Sequence, residues 1–184
     1  MGLVPLGPDP ASGLWEFAHL MTGEPPERGA DEKLMLTEET GVVLVLIPGG
    51  SFWMGAQKTD PTGRNYDPQA KSEEGPVHEV ELSAYFLSKY EMTQGQWLRP
   101  TGRNPSVSGP WRYFTSWNRA GRGWSALHPV EQVSWHDCMK WLPRAGLALP
   151  SEAQWEHGCR GCASSAYWCG EDQESLRGVA NLSD

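Results

Sequence analysis

Three segments of this 184-residue chain start helices in the same way, and each is stopped soon afterwards. They read TQGQW at 93–97, SWHDC at 134–138 and SEAQW at 151–155. Each has Thr or Ser followed three residues later by Gln or Asp. The hydroxyl can cap a first-turn N–H while the longer side chain reaches back to the cap. An apolar fifth residue, with Met92, Val133 or Pro150 just before the cap, completes a hydrophobic staple. Thr93, Ser134 and Ser151 therefore read as caps and not as nucleophiles, which would need a partner base. Pro100 is expected to stop the first helix and Pro143 the second, while Gly158 and Gly161 loosen the third. A chain punctuated in this way cannot build a long-helix bundle.

The strands are equally short. VVLVLI at 42–47 runs through PGG into SFWMG, which reads as strand, tight turn, strand. Phe52 and Met54 alternate with Ser51 and Trp53, so one face can be buried. HEVEL at 78–82 alternates likewise, with Val80 and Leu82 opposite Glu79 and Glu81. With 21 Gly, 15 Pro and ten Trp, the fold class is α+β: small capped helices, few strands and much irregular chain. Residues 1–41 are acidic and turn-rich, and are expected to be an N-terminal extension or linker, ordinarily a poorly ordered tail. The domain is expected over 42–184.

The net charge of -8 argues against nucleic acid as a partner. No apolar run approaches bilayer length, and the N-terminus has no basic start or apolar core of a signal peptide, so the expected location, as written, is cytoplasmic with no membrane span. One stretch differs in charge. Between Glu91 and Glu131 there is no acidic residue, and Arg112 and Arg119 lie there among Trp111, Trp117 and Trp124. Arginines interleaved with aromatics could bind an anionic or aromatic ligand, or could simply pack as a variable surface loop.

Three of the four cysteines sit in HGCRGCASSAYWC at 157–169. Cys138, Cys159, Cys162 and Cys169 could in principle bind zinc, but the spacing is loose for a four-ligand site. A thioredoxin-like pair should open a helix, whereas this one closes a helix. Trp155, Cys159 and Cys162 fall at i, i+4 and i+7, the spacing of a buried stripe, so packing in the core is the favoured reading.

IPGGSFWMG (47–55), EGPVHEVELSAYFLSKYEMTQGQW (74–97), HPVEQVSWHDCMKW (128–141) and LPSEAQWEHGCRG (149–161), taken in order, resemble the formylglycine-generating enzyme family, the sulfatase-modifying-factor domain. RGVANLSD at the end is similar to the family's calcium-binding segment. The resemblance implies a C-type-lectin-like core and a calcium site to which Asn181 contributes its side chain and Leu182 its carbonyl. Calcium takes six to eight oxygens, so that site would be incomplete within these residues. In the family's enzymes a copper-binding cysteine pair oxidises a client sulfatase cysteine to formylglycine. That pair lies beyond the calcium segment, so the C-terminal part of the domain is expected to be missing and the 184 residues to be inactive alone. Residues 1–60 look most like versions attached to bacterial serine/threonine kinases. A kinase domain in a parent protein, with a protein client or small ligand, is therefore an expected context. The alternative it implies is a non-catalytic binding module.

Overall fold

A computed structural model describes residues 2–109, 124–161, 163–170 and 172–179. Eight strands and three α-helices are defined among them: β1 (Leu3–Pro8), β2 (Trp15–His19), β3 (Glu27–Arg28), β4 (Leu34–Met35), β5 (Val43–Ile47), β6 (Gly50–Met54), β7 (His78–Leu82), β8 (Tyr85–Ser88), α1 (Gln94–Thr101), α2 (Trp135–Trp141) and α3 (Glu152–Arg160). Short strands and short helices in one chain make the α+β class plain. Among the described residues no helix is long and apolar enough to cross a membrane. The chain divides into two units, 1–46 with 86–149 and 47–85 with 150–184.

The first unit is built on a sheet of order β1-β2-β5-β8. β2 pairs antiparallel with both β1 and β5, and the register sets Glu16 opposite Val45 and Ala18 opposite Val43. Directly opposed residues share a face, so the Glu16 carboxylate lies on the same side as Ala18 and Val43, which are fully buried or nearly so. The Glu16 side chain is itself 0% exposed. A buried carboxylate must be paired and fully hydrogen-bonded. Arg28 Nη2 donates to Glu16 Oε2 at 2.6 Å, and Lys89 Nζ donates to Glu16 Oε1. Lys89 also donates to Asp9 Oδ1 at 2.9 Å, so two carboxylates meet two cations. Burial works against the Lys89 ammonium, but its hydrogen bonds to Glu16 and Asp9 outweigh this and raise its pKa.

The expectation of a poorly ordered tail at 1–41 is corrected by this arrangement. β1 and β2 are strands of the sheet, and residues 1–41 supply Asp9, Glu16 and Arg28, three of the four charges of the ionic cluster. Asp9 also closes the β1–β2 turn, accepting from the Ser12 N–H at 2.9 Å and the Ser12 hydroxyl at 2.8 Å. Polar residues that suggest a linker here form a turn and an ion-pair network.

All three capping boxes form as the sequence predicts. Thr93 Oγ1 accepts from the Gln96 N–H, Ser134 Oγ from that of Asp137 and Ser151 Oγ from that of Gln154, and each third residue reaches back. α1 differs at its far end. It continues through Pro100 to Thr101, and Gly102 closes it at φ 68° with an N–H to the Leu98 carbonyl. The proline falls in the last turn, where the helix ends before a further turn would be needed.

In the second unit β6 pairs with β7, with Phe52 opposite Val80 and Met54 opposite His78, and the predicted alternation holds on both strands. The tight turn between β5 and β6 does not make a hairpin, since β5 pairs with β2 and β8 instead. Gly49 is required by close approach: a Cβ there would lie 2.5 Å from the Leu82 carbonyl oxygen. Past β6, buried Asn65 donates to the carbonyls of Trp53 at 2.7 Å and Gly55 at 2.8 Å. From α3, Glu156 accepts the Gly55 N–H at 2.8 Å while Arg160 donates to the Gly55 carbonyl at 2.9 Å. Tyr85 Oη donates to the Gln154 carbonyl at 2.8 Å and lies 3.0 Å from His157 Nδ1.

These contacts settle which side of α3 faces inward. Gln154, Glu156, His157 and Arg160 grip the sheet and the 55 segment, so Trp155 and Cys159 turn outward. The expected buried stripe is therefore corrected: Trp155 is 64% exposed and Cys159 is exposed.

Replacing Glu16 by Gln leaves Lys89 and Arg28 without their shared counter-ion. Urea unfolding is expected to show a loss of about 3 kcal/mol, against under about 0.5 kcal/mol for the exposed pair partner Glu174→Gln. Asp9 gives a pH signature. Its pKa is lowered from 3.8 to about 2, chiefly by the Lys89 hydrogen bond and then by Ser12. Its contribution is present above 3.8 and lost as pH falls towards about 2, so Asp9→Asn is expected to flatten that limb of an acid-unfolding curve.

Candidate functional site

The N-terminus of α1 leaves backbone N–H groups that need partners from elsewhere in the chain. Gln94 N–H donates to the His128 carbonyl at 2.8 Å and Gly95 N–H to that of Ala126 at 2.9 Å. Val130 N–H returns a bond to Met92 at 2.9 Å. The close approach depends on Gly95, where a Cβ would lie 3.2 Å from the Glu38 carbonyl oxygen and 3.3 Å from Ala126 Cβ.

The Gln94 side chain extends this junction. It is 1% exposed and all four of its hydrogen-bonding positions are used. Oε1 accepts from Asn104 Nδ2 at 2.8 Å and from Trp124 Nε1 at 3.0 Å. Nε2 donates to the carbonyls of Ser108 at 3.3 Å and Pro129 at 3.4 Å. One amide thus joins residues 104–108 to residues 124–129, the two stems flanking the arginine- and tryptophan-rich stretch. Further bonds lace the stems directly: Glu131 N–H donates to Ser106 Oγ at 3.1 Å, and Ser108 N–H to Glu131 Oε1 at 2.5 Å. Glu38 Oε1 accepts from the Ser125 hydroxyl at 2.7 Å and the Ala126 N–H at 3.0 Å. Those two donors, the hydroxyl first, hold the Glu38 carboxyl below its usual range.

Of the candidate ligand-binding residues, Trp124 is tied to Gln94. Trp111, Arg112, Trp117 and Arg119 lie outside the described residues, as do Cys162, Asn181 and Leu182. Cys138 is on α2 in the first unit. Burial first, and Asp137 second, push its thiol pKa up, away from the thiolate that metal binding and redox chemistry need. Cys159 ends α3 in the second unit, and Cys169 Sγ lies 3.6 Å from Ser175 Oγ. Gln94 itself carries no signal in the sequence beyond its place in a cap motif, because its partners are up to 35 residues away.

Substituting Gln94 by Leu strands two buried donors and two carbonyls. Stability is expected to fall by about 2–4 kcal/mol in urea unfolding, with a red shift of tryptophan emission as Trp124 is freed. A loss under about 0.5 kcal/mol would show that the amide does not hold the stems.

The family model described as the sulfatase-modifying factor enzyme 1-like domain matches residues 32–183. The formylglycine-generating enzyme of Mycobacterium tuberculosis is 29% identical over 79% of this chain and 58% of its own length. That of Thermomonospora curvata is 28% identical over 77% and 56%. The serine/threonine-protein kinase pkn1 of Chlamydia pneumoniae is 31% identical over 73% of this chain and 22% of its own length. Among solved structures, PvdO from Pseudomonas aeruginosa aligns at 23% identity and a TM-score of 0.48, over 70% of this chain and 51% of that one. The chain spans little more than half the length of these two formylglycine-generating enzymes. By the match over residues 32–183, it belongs to the sulfatase-modifying factor enzyme 1-like family.

Proposed function

We propose that this chain serves a formylglycine-generating-type domain as its frame and as a recognition surface, and does not by itself oxidise a client cysteine. The observation that carries this reading is the Gln94 amide, which joins both stems of the arginine- and tryptophan-rich stretch. The two stems, 104–108 and 124–129, are held by a buried, fully satisfied residue, so they need no further ordering when a ligand binds beside them. Its sequence holds Arg112, Arg119 and Arg122 without an acidic residue, which suits an acidic or aromatic ligand.

The cysteine chemistry points the same way. The Cys138 thiol is biased towards its protonated form, which binds copper poorly. The C-type-lectin-like core and the calcium site with Asn181 and Leu182 belong to the same proposal, and rest on the family resemblance. A second reading is a non-catalytic module of a kinase-associated signalling protein. It is favoured by the 31% identity to the Chlamydia pneumoniae kinase.

The test is to incubate the 184-residue protein with a sulfatase-derived cysteine peptide, Cu(I) and oxygen, and to follow the peptide by mass spectrometry. No conversion to formylglycine is expected, and conversion would overturn the division of labour proposed here. Binding of the same peptide, with acidic flanks, separates the two readings. If the stretch recognises clients, Arg112→Ala with Arg119→Ala weakens binding by about tenfold. Unchanged affinity would remove it as a client surface and leave the kinase-associated reading.

A further inference from the structure

The largest fully buried side chain among the described residues is a titratable one, His19 at the end of β2. Its hydrogen bonds form a closed set. The Thr22 hydroxyl donates to the His19 carbonyl at 2.9 Å, and Thr22 Oγ1 accepts from the Val42 N–H at 2.9 Å. His19 Nδ1 lies 3.2 Å from the same Oγ1. The only hydroxyl proton is already committed, so Nδ1 must be the donor, and the network assigns the Nδ1–H tautomer. Nε2 is then the bare nitrogen of the neutral ring, buried and without a hydrogen-bond partner of good geometry, and the Ala145 backbone is a polar group that partly eases a proton onto the ring.

The surrounding backbone has little room to rearrange. His19 N–H donates to the Val42 carbonyl at 2.9 Å, and Gly41 N–H to that of Glu24 at 2.9 Å. A Cβ on Gly41 would sit 2.8 Å from the His19 carbonyl oxygen, and one on Gly23 would sit 2.6 Å from the Gly41 nitrogen. Two chain segments, 22–24 and 39–42, cross here in close backbone contact.

We infer that His19 is an acid-sensitive latch: neutral, it closes the crossing of residues 22–24 and 39–42, and a proton on Nε2 opens that crossing and loosens β2 from β5. A cation stands beside the crossing: Arg99 Nη1 donates to the Thr22 carbonyl at 3.1 Å. Arg144, on the turn that ends in Ala145, has its guanidinium 4.3 Å from the Trp141 ring centroid. Two carboxylates lie on the crossing segments: Glu24 is exposed, and Glu39 is paired with Arg99 and largely exposed. The strand β1 and the turn Leu20–Thr22 bring no titratable side chain. Burial, the largest effect, lowers the His19 pKa from 6.5, while the Ala145 backbone pulls the other way. With a lowered folded-state pKa, the contribution is complete above 6.5 and is lost as pH falls through the folded value.

Amide hydrogen exchange read at Val42 and His19 tests this directly. After correction for intrinsic rates, protection is expected to fall at least tenfold between about pH 7.5 and about pH 5.5 in the wild type. It is expected to stay flat with pH in His19→Gln, and to fall as in the wild type in His136→Gln, which alters an exposed histidine. Equal pH dependence in wild type and His19→Gln would overturn the latch. If His19→Gln does not fold, ring titration by NMR decides on the wild type alone. A His19 ring that titrates below the ordinary histidine value, together with the loss of Val42 protection, supports the latch. A ring that titrates at the ordinary value while protection holds overturns it.

Discussion

The buried carboxylate of Glu16 is the constraint on which the first sheet depends. A charge placed beside Ala18 and Val43 is unfavourable unless both oxygens meet cations, and the register of β2 against β5 leaves no choice of side. The two cations come from separate segments, Arg28 on β3 and Lys89 just after β8. Lys89 then binds Asp9, which closes the turn between β1 and β2. One carboxylate thus fixes four segments at once. An apolar residue at the same site would bury as easily, but would not select which strands end beside it.

The same economy recurs at α1. Its capping box uses the Gln96 N–H, and the two N–H groups before it, of Gln94 and Gly95, donate to the carbonyls of residues 128 and 126. The helix end becomes a docking point for distant chain, and Gln94 extends it to residues 104 and 108. Arg99, one turn on, donates to the carbonyls of Thr22 and Glu38 and so brings the 22–39 region to the same helix. Glu38 in turn holds Ser125 and Ala126. The stems of the arginine- and tryptophan-rich stretch are therefore fixed by the helix and by the segment before β5.

What the sequence made legible follows from range. Capping boxes and strand alternation are written within five residues, and both appear where expected. The strand, turn and strand at 42–55 appear as read, but their pairing was not legible, because two glycines beside a proline signal a turn equally well when the second strand pairs elsewhere. Residues 1–41 looked like a tail because their Asp, Glu and Arg are solvating in isolation and become structural only when Lys89, far along the chain, arrives. Trp155 and Cys159 carried helical spacing, but spacing gives a stripe and not its direction. The polar grip of Glu156 and Arg160 on Gly55 decided the direction. Of the candidate site, Trp124 was named from the sequence and Gln94 was not, since an amide shows no periodic signature.

Among the described residues the five largest fully buried side chains are His19, Gln94, Glu16, Val43 and Thr22, and four of them are polar. A core of this kind gains little from apolar area at its centre and much from each satisfied polar pair. Its failures are correspondingly asymmetric, because removing one partner strands another at a cost of about 1–3 kcal/mol. Tryptophan, abundant in the chain, lies partly outside this centre: Trp135 is 62% exposed and Trp155 64%. The described fold is thus specified by hydrogen-bond geometry as well as by the volume of buried Trp97, Tyr85 and Leu44. That is why a single proton on His19, adding charge without changing volume, is enough to disturb it.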